Sequence, residues 1–90
     1  MEQRLDVSQL EPPEPLERAL ESLKELRVGQ YLHIYHRMEQ LLLYPLLEKM
    51  EFNWETGCDH QGMFHIAIWH RDDRAAQAEA QQAISACCRT

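Results

Sequence analysis

A chain of 90 residues carries one domain with a modest core, too small to enclose a deep substrate cavity. With 44% hydrophobic and 27% charged residues, it is composed like an ordinary globule rather than a disordered segment. Nine Lys and Arg against fifteen Asp and Glu leave a net charge of −6 with no basic block, which argues against binding a phosphate backbone.

Met1-Glu2-Gln3-Arg4 has no apolar core of the signal-peptide kind, and the apolar run around Leu41–Tyr44 is far too short to span a membrane. Three cysteines (Cys58, Cys87 and Cys88) are odd in number and lack framework spacing, and a vicinal pair closes only with backbone strain. Free thiols in a reducing, cytoplasmic setting are expected.

Leu5–Val7 reads as a first strand. It is followed by a loop, Glu11-Pro12-Pro13-Glu14-Pro15. Leu16, Ala19, Leu20, Leu23 and Leu26 then recur at helical spacing, with Glu17, Arg18, Glu21, Lys24 and Glu25 left for solvent. Gly29 is the expected stop of this first helix. Tyr31–Tyr35 alternates, placing Leu32 and Ile34 on one face and Tyr31, His33 and Tyr35 on the other, as a half-buried strand does. A polar loop, His36–Gln40, leads to a second helical stripe of Leu43, Leu46, Leu47 and Met50, with Pro45 in its first turn, where a missing N–H is harmless.

Phe52–Thr56 and Phe64–Trp69 alternate as two strands of a hairpin joined by Gly57–Gly62. From Arg71 the chain turns rich in alanine and glutamine, with a weak stripe of Ala76, Ala80, Ala83, Ile84 and Cys87. Residues 71–90 are therefore expected to be a tail apart from a 1–70 domain, helical but frayed, loosely docked or partly disordered. The order β-α-β-α-β-β predicts an α+β fold: a two-layer sandwich with right-handed crossovers, two helices on one sheet face and the other face uncovered.

The proline loop, with Leu5-Asp6 before it, and the segment "YHRMEQLLLYPLLEKMEF" at 35–52 resemble the bacterial family called domain of unknown function 2249, which is itself similar to TusA/SirA-like sulfur carriers. The resemblance covers roughly residues 5–70. It implies a mixed four-stranded sheet of order 1-2-4-3 with the fourth strand antiparallel. In such carriers the loop before the first helix reads Cys-Pro-x-Pro, and the cysteine holds a persulfide at the helix N-terminus. Here the tetrapeptide is Pro12-Pro13-Glu14-Pro15, and Pro12 stands where the nucleophile would be.

Two loops at the carboxyl ends of neighbouring parallel strands should form one recognition edge. It would gather Glu11, Pro12, Pro13, Glu14 and Pro15 with His36, Arg37, Glu39 and Tyr44. Such a rim could bind a polar ligand, a metal or a partner's loop, or be a self-neutralising ion cluster. A second candidate is the uncovered sheet face, where Tyr31, His33, Tyr35, His65 and Trp69 would serve a homodimer or a docking partner. His33 and His65 could begin a metal site, but no third ligand has a fixed spacing to them, so no metal and no cofactor are assigned.

No serine stands beside a plausible base, and there is no phosphate-cradling glycine loop, Cys-x-x-Cys or His-Glu-x-x-His, so no catalytic residue is assigned. The expected function is a non-enzymatic TusA-like interaction module with a protein partner, neither nucleic acid nor membrane. The alternative is a sulfur or redox relay through a displaced cysteine.

Overall fold

The computed structural model of the protein describes residues 1–88. Its strands are β1 (Glu2–Asp6), β2 (Tyr31–His36), β3 (Phe52–Cys58) and β4 (Phe64–His70); its helices are α1 (Glu14–Lys24), α2 (Leu43–Lys49) and α3 (Arg74–Cys87). The sheet order is β1-β2-β4-β3. β1 pairs with β2 in parallel, from Glu2↔Tyr31 to Asp6↔Tyr35. β4 runs against both its neighbours, with His33↔Ala67 on one side and Glu55↔Ala67 on the other. This is the α+β fold that the element order predicts, with the mixed four-stranded sheet that the resemblance implies. No described helix is long and apolar enough to cross a membrane.

Alternate residues of β2 and β4 supply the main core. Leu32, Ile34, Ile66 and Ile68 meet Val7, Ala19, Leu23, Leu43, Leu47 and Phe52. Each fully buried aliphatic side chain there contributes roughly 1.5–3 kcal/mol over leaving it in water. α1 and α2 form the layer over this face. α1 carries Pro15 and the acids Glu14 and Glu17 in its first turn and Lys24 in its last, which suits the helix dipole. It ends at Lys24, earlier than the expected stop. Leu26 still reaches the core, and Gly29 lies in the turn before β2 at φ +86°.

α3 covers the other face, which corrects the expectation of an uncovered sheet. Asp73 caps it by accepting the Ala76 N–H at 3.1 Å, and it also accepts the Gly29 N–H at 2.6 Å. Ala76, Ala80 and Ile84 are buried against Tyr31, Ala67 and Trp69. The alanine stripe is weak in hydrophobicity, but small side chains let the helix axis approach the sheet closely. Gly57, inside β3 rather than in the hairpin loop, permits this approach: a Cβ there would lie 2.7 Å from Cys88 Cβ and Sγ. Arg89 and Thr90, the end of the expected tail, lie outside the described residues.

Candidate functional site

The carboxyl ends of β1 and β2 lead into two loops that enclose a pocket of about 290 Å³. Pro12, Pro13 and Pro15 form one wall, and Met38, Gln40 and Leu41 belong to the other. His36 is not a loop residue: it ends β2, shares the face of Leu32 and Ile34, and is buried. Its Nδ1 and both amide atoms of the buried Gln40 have no hydrogen-bond partner among the described residues. Each such unpaired polar group costs about 1–3 kcal/mol, so the fold holds unmet hydrogen-bonding capacity against this pocket. Burial, reinforced by Arg37 and opposed by Asp6, pulls the His36 imidazole below its ordinary value and favours the neutral ring. On the rim, Met38, Leu41 and Leu42 are exposed, Leu42 at 77%.

The expected recognition edge is thus partly assembled. Pro12, Pro13, Pro15, His36 and Glu39 line the pocket. Glu11 and Arg37 pair across the two loops outside it, both well exposed. Glu14 stands apart on the α1 surface, 3.9 Å from Arg18. Tyr44 donates to Glu39 Oε2 at 2.8 Å, lies 2.7 Å from Thr56 Oγ1, and stacks on Trp54 with centroids 5.5 Å apart. Burial and the Glu39 carboxylate push its phenol up to about 12. Gln40, Met38, Leu41 and Leu42 escaped the sequence reading. The available signal was the surplus of leucines: Leu41 and Leu42 precede the Leu43–Leu47 stripe and are not needed by it.

The second candidate face is not an exposed interface. Tyr31, His33, His65 and Trp69 are at most 6% exposed, because α3 lies over them; Tyr35 is half-buried with its ring edge against His65. Under the helix runs a row of polar groups. Tyr31 donates to Glu2 Oε2 at 2.9 Å, and His33 Nδ1 contacts the same oxygen at 2.8 Å. His33 Nε2 faces His65 Nδ1 at 2.8 Å, and His65 Nε2 meets Asp59 Oδ2 at 2.9 Å.

The contacts Glu2–His33, His33–His65 and His65–Asp59 need three protons, whereas two neutral imidazoles bring two. Burial works against ionising Glu2, yet bonds from His33 and Tyr31 and nearby positive charge hold its carboxyl below the usual range. Asp59 is held low by His65 and by the backbone N–H groups of Met63 and Gln61. Burial also pulls His33 down, offset only in part by Glu2, so the proton between the two rings is the hardest to keep.

Cys87 also lies near the two rings. One ligand atom each from His33, His65 and Cys87 lies within 4.8 Å of the others. Cys87 and Cys88 are free thiols with sulfurs 3.4 Å apart, and burial, then Cys87 itself, pushes the Cys88 thiol up to about 12. Cys58 is exposed at the end of β3. None of the three stands in the proline loop.

Fold and site together define a small α+β domain with an apolar pocket at the ends of its parallel strands and a polar row beneath a third helix. Residues 4–70, spanning nearly all of β1 through β4, match the family described as an uncharacterized conserved protein, DUF2249, and the chain belongs to that family. No curated protein and no solved structure matches it.

Proposed function

We propose that this protein is a non-enzymatic interaction module, built like a TusA-type sulfur carrier, whose strand-end pocket takes an apolar side chain of a protein partner. The observation that carries the reading is the unmet hydrogen-bonding capacity of His36 and Gln40 against an otherwise apolar pocket. The pocket is the size of a large side chain, and a partner that displaced the lining at Gln40 would meet a carboxamide with a free donor and a free acceptor, which match one peptide group. Exposed Met38, Leu41 and Leu42 extend the apolar contact beyond the rim. Pro12, standing where the resemblance implies a reactive cysteine, leaves contact rather than group transfer as the use of this edge. Relay through a displaced thiol has less support, since none of the three cysteines lines the pocket. Free thiols agree with a reducing, cytoplasmic setting.

The test is selection of peptides from a displayed library on the full chain, followed by titration of the enriched peptides into isotope-labelled protein. The enriched sequences should share one large apolar residue and shift the amide signals of Leu16, Gln40 and Leu41. Leu41→Asp and Gln40→Ala should each weaken binding at least about tenfold, the effect of losing roughly 1.4 kcal/mol. Absence of enrichment, or binding indifferent to both substitutions, would sink the reading.

A further inference from the structure

The row beneath α3 is unrelated to the strand-end pocket and has a different chemistry. We propose that His33, His65 and Cys87 form a site for a divalent ion of borderline softness, of which zinc is the type, with Glu2 and Asp59 orienting the two imidazoles. The outer nitrogens of the rings, His33 Nδ1 and His65 Nε2, are each engaged by a carboxylate, at 2.8 and 2.9 Å. The inner nitrogens are left facing one another at 2.8 Å. A metal-bound imidazole has this arrangement: its far N–H is given to a carboxylate, which fixes the tautomer and raises the basicity of the ligating nitrogen. Here both rings have it, from two acids far apart in sequence, Glu2 on β1 and Asp59 in the β3–β4 turn.

The third ligand comes from the last turn of α3. Cys87 Sγ, now directed to the Ile84 carbonyl at 3.7 Å, belongs to the same cluster within 4.8 Å. Two imidazoles and a thiolate exclude magnesium and calcium, which take oxygen ligands, and suit zinc. Zinc–nitrogen bonds of about 2.0–2.1 Å at the tetrahedral angle set the two nitrogens about 3.3 Å apart, so the rings must part by about half an ångström. The fourth position falls to water or to Cys88, whose sulfur is 3.4 Å from that of Cys87.

The test uses reduced, chelator-treated full-length protein titrated with cobalt(II), which reports a thiolate ligand as a near-ultraviolet charge-transfer band. One equivalent should saturate that band together with the visible bands of a tetrahedral ion, and zinc should displace them. Cys87→Ser in a Cys88→Ser background, checked for folding by circular dichroism, should abolish the charge-transfer band that Cys88→Ser alone retains. Glu2→Gln and Asp59→Asn should each weaken zinc binding on the order of 10–100-fold. His65→Gln, checked for folding by circular dichroism, should lose stoichiometric uptake. No uptake by the wild type, a band that survives Cys87→Ser in the Cys88→Ser background, or undiminished zinc affinity without His65 would each overturn the site. Uptake of copper(I) alone would overturn its assignment to a divalent ion.

Discussion

The two faces of this sheet are made by the same strands and do different work. Toward α1 and α2, β2 and β4 present Leu32, Ile34, Ile66 and Ile68, each at most 1% exposed. Toward α3, the intervening residues of those strands are Tyr31, His33, His65, Ala67 and Trp69, packed on a helix that offers mainly alanines. The period of two along a strand thus separates stabilisation from chemistry residue by residue. On the aliphatic face of β2 polarity appears at the strand end, where buried His36 leaves its Nδ1 unpaired. The α3 face carries a continuous row of polar contacts because acids from β1 and from the β3–β4 turn close both its ends.

The contrast can be broken by substitution. Ile66→Ala on the aliphatic face should have the largest effect, a loss of about 2–5 kcal/mol in urea unfolding; a loss under about 1 kcal/mol would show that this face is not the principal core. Gly57→Ala acts from the other side. Its Cβ collides with Cys88 at 2.7 Å and should cost about 1–3 kcal/mol. Amide exchange should then rise in α3 well before α1; equal exposure of both helices would mean that the two faces do not separate.

Acidification sharpens the contrast by direction rather than size. Burial depresses the His36 imidazole in the folded chain, so the unfolded chain takes up the proton first as pH falls through about 6.5. The contribution of His36 to stability is therefore complete above that value and shrinks as pH drops toward its lowered folded value. His36→Gln should flatten the slope of stability against pH in this window, and an unchanged slope would refute the burial of a neutral ring. Arg37→Ala should have the smallest effect. Its bond to Glu11 is between exposed groups and is worth at most about 1 kcal/mol in denaturant unfolding.

Legibility in the sequence followed the strength of the pattern. Leu32 and Ile34 against Tyr31, His33 and Tyr35 could be read because alternation at period two has few alternatives. The strand-end edge could be read because neighbouring parallel strands must bring their following loops together, and Pro12, Pro13, Pro15 and His36 do meet there. Gln40 could not be read: a polar loop residue carries no sign that it will be buried with its amide unpaired. β1 begins at Glu2 rather than Leu5, and this register alone decides that Glu2 lies beside Tyr31 and within reach of His33. Exposure of the aromatic face was a natural inference from a tail whose apolar stripe is mostly alanine.

By itself the amino-acid sequence determined the order of the first six elements, the aliphatic face of the sheet and the absence of a thiol from the proline loop. These depend on local periodicity and residue identity, which need no partner in space. Only the tertiary structure decided that α3 closes the second face, that Glu2, His33, His65, Asp59 and Cys87 converge beneath it, and that Gln40 is buried unpaired. Those outcomes depend on contacts between residues far apart in the chain, where a small alanine stripe and one glycine set how near a helix can come.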